Sequence, residues 1–258
     1  PGIPDRRRLV TQHYIAQNER FSYYPKIMCG RYTLSRPKSV LRELLGRTSD
    51  TEYHPRFNVA PGQLVPVIVR DHTLTSQVRE MQWGFRSHLA RKVQSASGTI
   101  NARVETVSEK PLFRDSFRSR RCIVPADGFY EWQSTASGRQ PYFVQLDDHA
   151  AFGFAGLWSQ SLNQTGKLIY TFTILTTRAN TLLSTLHRRM PVILNDKDRQ
   201  AWFNAEVQAG RSNAFDKPYP SSRMTMTPVS KVVNNAHNDS VDCLQTVTLK
   251  EELRLFVL

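Results

Sequence analysis

The stretch Leu168–Thr177 constrains the fold most, because its side chains alternate in character along the chain. Large apolar side chains recur at every second position, with threonines between them: Leu168, Tyr170, Phe172 and Ile174, against Thr171 and Thr173. Successive side chains of a strand point to opposite faces, so this pattern predicts a β-strand with an apolar face. Several short stretches of similar character accompany it, with only a few helical ones. The chain is therefore predicted to be α+β, a single domain around a curved sheet.

Prolines and glycines set several predicted boundaries. Pro37 is predicted to begin a helix that Gly46 ends, since proline suits the first helical turn and glycine the residue after the last. Leu64–Arg70 is predicted to be a strand at the edge of its sheet, because Pro66 has no backbone N–H to donate. The remaining predictions are helices over 110–119 and 196–203, and a hairpin of Pro141–Leu146 with Ala151–Trp158.

Composition predicts a globular protein of a reducing compartment. Hydrophobic residues make up 40% of the 258 residues, and no apolar run approaches the roughly 20 residues that span a membrane. The cysteines Cys29, Cys122 and Cys243 lie far apart, which gives no disulfide framework. The N-terminal stretch has arginines but no apolar segment of a secretory signal. We therefore expect a reducing compartment, which for a DNA-binding protein means the cytoplasm and nucleoid of a bacterium or the nucleus of a eukaryote.

The charge balance favours a polyanionic partner. The formal net charge is +13, and arginine and lysine are concentrated over residues 103–121. Aromatic residues lie near basic ones in the sequence, at Trp83, Phe85, Tyr130 and Trp132. Aromatic rings beside basic grooves are typical of proteins that bind single-stranded nucleic acid. A soluble basic surface without such a partner is the alternative.

Cys29 directly follows Met28, as a cysteine does after a translation start. Removal of everything up to Met28 would give Cys29 a free α-amine beside its thiol. The amine titrates near pH 7.7–8.0, so about a tenth of it is unprotonated at neutral pH and able to attack an aldehyde. Residues 1–27 are therefore expected to be a leader or upstream extension outside the mature protein, and 28–258 the folded domain. An inert buried thiol is the alternative for Cys29.

Glu131 lies between Tyr130 and Trp132 in a predicted strand, so its side chain is expected on the face opposite both rings. Partial burial would suit it to general acid–base catalysis. The alternative is a solvated carboxylate paired with arginine. Asp127 is the rival carboxylate, but its place in a turn favours a capping role.

His187 is followed by Arg188 and Arg189. Histidine carries protons near neutral pH, and adjacent arginines suit a phosphate. Asn101 and Arg103 are two residues apart and would share one face of a strand, where they offer an amide for a sugar hydroxyl and a guanidinium for a phosphate. Taken singly, each of these residues is more simply a surface or turn residue.

Other chemistries lack their motifs. The sequence has no Cys-x-x-Cys, no His-Glu-x-x-His and no glycine-rich phosphate loop, so neither a metal nor another cofactor is expected. A cysteine–histidine protease is possible from residue types, but no local signature supports one.

Several ordered stretches resemble the SRAP domain family, abasic-site sensors that cross-link to single-stranded DNA and were first described as SOS-response-associated peptidases. The stretches are Met28-Cys29-Gly30-Arg31-Tyr32, Arg56-Phe57-Asn58-Val59-Ala60-Pro61, Trp83-Gly84-Phe85, Asn101-Ala102-Arg103-Val104-Glu105-Thr106, residues 122–132, Phe154-Ala155-Gly156-Leu157-Trp158, residues 173–177 and His187-Arg188-Arg189-Met190-Pro191. They occur in the family order and are spread over nearly all of residues 28–235.

The resemblance implies a β-barrel-like core with short peripheral helices, and a substrate that is the ring-opened aldehyde of an abasic site. Cys29 would be the cross-linking nucleophile, Asn101 would position the deoxyribose, and Glu131 and His187 would move protons. The implied DNA contacts are Arg31, Trp83, Arg103, Trp132, Arg188 and Arg189. The implied protein is a monomer with no metal and no membrane. Arg188 departs from the family pattern, where an acidic residue is expected.

Three hypotheses follow. The first is covalent capture of abasic sites through Cys29, with a lyase-like reversal. The second is a cysteine peptidase (a hydrolase) acting on its own leader. The third is a non-covalent single-strand-binding module, which would be indifferent to abasic sites and strongly salt-dependent.

Overall fold

The computed structural model describes residues 30–46, 52–70, 75–87, 98–136, 138–162, 165–203 and 215–249. The predicted leader and Cys29 itself lie outside the described residues. Thirteen strands are present in the described part. They are β1 (Tyr32–Leu34), β2 (Arg56–Val59), β3 (Leu64–Arg70), β4 (Ser76–Trp83), β5 (Asn101–Arg103), β6 (Arg121–Ala126), β7 (Gly128–Thr135), β8 (Gly138–Leu146), β9 (Phe152–Leu162), β10 (Leu168–Arg178), β11 (Arg189–Pro191), β12 (Ile193–Leu194) and β13 (Met224–Pro228).

Three α-helices accompany the strands in the described ranges: α1 (Pro37–Leu45), α2 (Arg114–Ser119) and α3 (Asp196–Phe203). The prediction for α1 is confirmed. Pro37 stands in its first turn, and Gly46 ends it with a left-handed φ of 71° that lets its N–H bond to Arg42 O. The helix predicted over 110–119 begins only at Arg114, after a turn.

Five strands close into a barrel in the order β10-β4-β3-β6-β9, with β9 pairing back to β10. Strand β4 runs parallel to β10, and the other neighbours in the ring are antiparallel. Closure leaves these strands without a free edge. The predicted α+β class and curved sheet are confirmed.

Strand β10 is buried on both faces from Thr171 to Thr177. Phe172 and Ile174 belong to the larger core cluster, while Leu175 belongs to a second cluster with residues of all three helices. The predicted apolar face is confirmed at Phe172 and Ile174, and in part at Tyr170, whereas Leu168 at the start of the strand is exposed. The threonine face is also covered, because Thr171 and Thr173 are fully buried.

A second sheet has the order β13-β8-β7-β1-β2. Its Tyr32, Val59 and Phe129 enter the same core cluster as the barrel residues, so the two sheets share one core. Tyr32 makes an edge-to-face contact with Trp83 of the barrel, with ring centroids 5.3 Å apart. This packing brings the beginning of β1 close to the barrel.

Two predictions of strand pairing are wrong. Strand β3 is central, since it pairs with both β4 and β6. Its pairing with β6 covers only Ile68 and Val69, so Pro66 needs no N–H on that side. Strands β8 and β9 do not form a hairpin: β8 pairs with β7 and β13, and β9 with barrel strands and β12.

Asp127 has the structural role expected of it. Its carboxylate accepts hydrogen bonds from the Thr33 hydroxyl (2.6 Å) and from the backbone N–H groups of Ser35 and Arg36. It thereby joins the end of β1 to the start of α1. The rival carboxylate is accordingly occupied by hydrogen bonds within the fold.

Candidate nucleic-acid interface

A cavity of about 400 Å³ opens at the beginning of the described chain. Its lining residues come from β7, β8, the segment just before β1 and two other connecting segments: Gly30, Arg31, Pro61, Trp132, Arg139 and Asn234. Two of them are arginines and none is acidic. A cavity with that lining suits an anion beside a flat apolar group.

Pairing between β1 and β7 positions this cavity. Tyr32 lies opposite Phe129, and the N–H of Tyr130 donates to Arg31 O (3.0 Å). In this register the residues before Tyr32 run alongside Tyr130 and the residues after it. The chain at Gly30, next to Cys29, is thus held beside Glu131 and Trp132.

Arg31 is anchored rather than free. Its Nη1 donates to Asn58 Oδ1 and to Val233 O, both at 2.9 Å. Burial lowers the pKa of the Arg31 guanidinium, and the charge of Arg139 lowers it further. Arginine remains charged in proteins in spite of such shifts. The cavity therefore contains a fixed positive charge with a second one nearby.

Trp132 forms one wall of the cavity and is half-buried. Its indole N–H donates to Asn234 Oδ1 (2.7 Å), which fixes the plane of the ring. The guanidinium of Arg139 lies 5.4 Å from the ring centroid, within the range of a cation–π contact. The predicted stacking residue is thus oriented and partly accessible.

Glu131 is 3% exposed. Tyr130 and Trp132 lie together on the other face of β7, with ring centroids 6.3 Å apart. The alternation expected from the sequence is confirmed, and the alternative of a solvated carboxylate is excluded. A carboxylate this well buried beside the start of β1 is suited to proton transfer.

The other predicted catalytic residues lie along the C-terminal half of β10. Asn101 pairs with Ile174 through the parallel strand β5. Strand β11 pairs with β10 at Arg178 and carries Arg189, two residues after His187. The His187 Nδ1 accepts a hydrogen bond from the Arg189 backbone N–H (3.1 Å), which favours the tautomer with its proton on Nε2.

Trp83 lies between the residues at the start of β1 and the predicted catalytic residues beside β10. It contacts Tyr32 of β1, and its indole N–H donates to Ile100 O (3.0 Å), directly before Asn101. The ring is 0% exposed and stacks on Phe172, with centroids 6.3 Å apart. No face is left for a base, so the expectation that Trp83 stacks on DNA is corrected to a core role.

Arg189 is already paired within the protein. Its guanidinium forms a bidentate ion pair with Glu105, including a 2.7 Å bond from Nη2 to Oε2, and Nη2 also donates to Thr176 O (2.6 Å). This differs from the expectation of a free phosphate ligand. Arg103 and Arg188, by contrast, are exposed. Arg121, in the basic stretch, is buried against Phe117 and Trp202.

Glu105 gives this ion pair a pH dependence. Burial acts to raise the pKa of Glu105, but the hydrogen bond from Arg189, a backbone hydrogen bond and the positive charges of Arg189 and Arg103 lower it below its ordinary value of 4.5. A lowered folded-state pKa contributes stability that is present above pH 4.5 and is lost as the pH falls through the lowered value.

Replacing Glu105 by glutamine should remove that contribution. We expect the free energy of unfolding at pH 7 to fall by about 1 kcal/mol or less, because the carboxylate is partly exposed. The difference between wild type and Glu105→Gln should shrink below pH 4.5. Urea unfolding at pH 7 and pH 3.5 measures both values. A difference that stays constant or grows in acid would contradict this role.

Known proteins place the chain in a family. Residues 28–236 match the family described as SOS response associated peptidase (SRAP). The chain belongs to the SRAP family. One relative, the "Abasic site processing protein YoqW" of Bacillus subtilis, is 35% identical over 224 residues, which are 85% of this chain and 100% of that protein. Another, the "Abasic site processing protein HMCES" of Xenopus tropicalis, is 30% identical and covers 80% of this chain and 70% of that protein.

A solved structure shares the SRAP fold of this chain. The crystal structure of a protein from Bacteroides thetaiotaomicron has a TM-score of 0.74 and 26% identity, covering 85% of this chain and all of that one. That coverage supports one domain for the region described here.

Sequence reasoning missed several residues of this candidate site. Arg139, Pro61 and Asn234 line the cavity, Asn58 holds its Arg31, and Glu105 holds Arg189 outside it. Asn58 and Glu105 stand in stretches that carry the family resemblance, which is the signal that could have found them. Arg139 and Asn234 come from segments with no such signal.

Within the described ranges, no cluster of three or more His, Cys, Asp or Glu side chains is arranged to hold a metal ion. No helix in the same part of the chain has the length and apolarity required to cross a membrane.

Proposed function

We propose that this protein senses abasic sites in single-stranded DNA and captures them covalently through Cys29 as a mature N-terminal residue. The observation that carries the proposal is the cavity beginning at Gly30, next to Cys29, with two arginines, an accessible tryptophan and no acidic lining residue. A single strand offers a phosphate for the arginines and a base for the indole. The printed names of the relatives, abasic site processing proteins, agree with this use.

The covalent step uses both nucleophiles of an N-terminal cysteine. The unprotonated α-amine adds to the C1′ aldehyde of the opened deoxyribose, and loss of one water gives an imine. The thiol then adds across the C=N bond, its sulfur bonding to carbon and its proton passing to nitrogen. The product is a five-membered thiazolidine, and the balance is one water released. Reversal by the same steps would return the free protein.

Each site residue has a role in that sequence. Glu131, buried beside the start of β1, moves protons during dehydration and ring closure. His187 is the second proton carrier, and Asn101 positions the sugar hydroxyl. Arg31 and the exposed Arg103 and Arg188 bind phosphates, and Trp132 stacks on a base. The proposed partner is single-stranded DNA, which the protein binds as a monomer and without a metal or other cofactor.

The proposal requires that Cys29 has a free α-amine, and hence that residues 1–27 and Met28 are absent from the mature protein. A peptide-bonded Cys29 has an amide nitrogen, which does not attack aldehydes. The mature protein would then be residues 29–258. Release of the leader by the protein's own peptidase activity is one route to it.

Intact mass spectrometry tests the proposal. A chain beginning at Cys29 is mixed with a single-stranded oligonucleotide containing one abasic site, denatured and weighed. We expect an adduct lighter by one water than the sum of the two reactants, formed without a reductant. The chain that keeps residues 1–28 should give none.

Cys29→Ser is the matched variant, since it keeps the α-amine and loses the thiol. It should give an adduct only when borohydride is present to reduce the imine. A stable adduct from Cys29→Ser without reductant, or none from a verified N-terminal Cys29, would refute the thiazolidine mechanism. Equal binding of abasic and intact strands would point to a non-covalent binding module.

A further inference from the structure

Asn58 lies behind the cavity without lining it. Its side chain is fully buried, and every polar atom of its amide is used. Oδ1 accepts from Arg31 Nη1 (2.9 Å). Nδ2 donates to three backbone carbonyls of one segment: Val233 (3.2 Å), Asn235 (3.0 Å) and Asn238 (2.7 Å).

The Asn58 amide therefore connects two parts of the chain that line the cavity, Arg31 and the segment 233–238. Val233 O accepts from Arg31 as well as from Asn58, so guanidinium, amide and carbonyl form a closed triangle. The segment held by Nδ2 carries Asn234, whose Oδ1 accepts the indole N–H of Trp132. Arg31, Asn234 and Trp132 are three of the lining residues.

We propose that Asn58 is a positioning residue of the cavity, fixing the Arg31 guanidinium and the segment 233–238 in register with each other. Through that segment it also sets the plane of Trp132. Asn58 touches no part of the space where a ligand would lie, and it acts only through these neighbours.

A carboxylate clamp holds Asn58 in place. Asp239 accepts from the backbone N–H groups of Phe57 (2.6 Å) and Asn58 (2.9 Å), and from Arg56 Nε. Asp239 follows the 233–238 segment directly, so backbone and side chain of Asn58 both bind the same stretch. Strand β2 is thus joined to this part of the chain twice, through the Asn58 side chain and through the Asp239 carboxylate.

The chemistry of the site requires an amide. The position facing Arg31 needs an acceptor, and the side facing three carbonyls needs N–H donors. Aspartate has the same shape but no donor, and would place a negative oxygen against those carbonyls. Serine is too short to reach both partners. Each of the three carbonyls keeps one other donor, but in the aspartate variant it would face a carboxylate oxygen in place of an N–H. Repulsion between these oxygens should move the segment outward to reach water.

This inference rests on the proposed function only for its use in binding DNA. A fixed Arg31 presents one charge to a phosphate at no cost in side-chain entropy. In Asn58→Asp the new carboxylate would neutralise that charge. The affinity for a single strand should fall, and the slope of log K against log salt should lessen by roughly 0.7, the amount expected for one phosphate contact on a single strand.

Hydrogen exchange of the indole N–H groups in the full 258-residue chain tests the positioning role. Tryptophan is labelled with ¹⁵N, and resonances are assigned with Trp→Phe variants. In Asn58→Asp we expect the Trp132 indole to exchange about tenfold faster or more, because its acceptor segment is released locally. Trp83 and Trp202, whose indoles donate to backbone carbonyls in the core, should change by less than about twofold.

Asn195→Asp is the matched control. Asn195 is an exposed residue whose Oδ1 accepts from Asp198 N–H at the start of α3, a role that aspartate also fills. It should leave all three indoles unchanged. Asn58→Ser, which introduces no charge, provides a second variant should Asn58→Asp fail to fold, and the same selective change at Trp132 is expected.

Two outcomes overturn the inference: Trp132 exchange that stays at the wild-type rate, or a uniform acceleration of all three indoles, which would mean global destabilisation. Anisotropy with a strand containing a tetrahydrofuran abasic analogue is measured in parallel. A selective change at Trp132 in a protein that binds no DNA would support the positioning role and count against the proposed function.

Discussion

Replacing Glu131 by glutamine is expected to slow formation of the DNA adduct by about 100-fold or more, the range typical of losing a general acid–base group. Glutamine keeps the shape and hydrogen-bonding reach of the side chain but neither accepts nor releases a proton at neutral pH. The rate is measured by quenching the reaction of the Cys29-initiated chain with an abasic strand and resolving the adduct by denaturing electrophoresis.

The expected effect follows from where Glu131 lies. It is buried on the face of β7 away from Trp132, beside the paired start of β1. Imine formation expels hydroxide from a carbinolamine as water, and ring closure moves a proton from sulfur to nitrogen. Both steps need a group that gives and takes protons in a place where bulk water has little access.

Controls separate chemistry from folding. Glu80→Gln makes the same change at an exposed position of β4 and should leave the rate unchanged. Non-covalent binding of Glu131→Gln to a tetrahydrofuran-containing strand should stay within about threefold of wild type, because a proton-transfer role affects the reaction rather than binding. An adduct rate within threefold of wild type would remove Glu131 from the mechanism.

Local patterns in the sequence predict the secondary-structure elements better than they predict which strands pair with each other. Two confirmed predictions depend only on residues that are close in the chain. One is the strand over Leu168–Thr177, and the other is the first helix with its bounds at Pro37 and Gly46. Strand pairing depends on distant segments. The false hairpin of β8 with β9 arose because nearness in sequence was taken for pairing, whereas each strand belongs to a different sheet.

Prediction of the site residues has the same limit, because contacts between distant parts of the chain are not visible in one sequence. The position of Glu131 opposite two rings could be predicted from alternation within one strand, but its burial could not, because that depends on what packs over the strand. The pairing of Arg189 with Glu105 joins residues 84 positions apart, and that of Arg31 with Val233 joins residues 202 apart. A lone sequence shows the charge of an arginine but not the partner that satisfies it. Assigning arginines to DNA from their charge therefore includes Arg189, which is paired within the fold.

Replacing Trp83 by alanine is expected to lower the free energy of unfolding by about 3–5 kcal/mol, the usual cost of deleting a large buried aromatic side chain. The ring is fully buried, contacts Tyr32 and stacks on Phe172. Its loss would also remove the indole donor of the Ile100 carbonyl, which keeps its second hydrogen bond from the Ile174 N–H (3.0 Å). Urea unfolding of wild type and variant measures the difference.

The contrast with Trp132 decides between a core role and a DNA role. Trp132→Ala should lower the free energy of unfolding far less than Trp83→Ala, because its ring is half-exposed, yet weaken single-strand binding by about 1–3 kcal/mol through lost stacking. Trp83→Phe, a milder change, should destabilise the fold and leave the affinity of the folded protein unchanged. A Trp83→Phe protein that keeps wild-type stability but binds DNA poorly would restore Trp83 to the interface. In that case the aromatic contact between β1 and the barrel would open when DNA binds, because the indole has no exposed face while Tyr32 and Phe172 cover it.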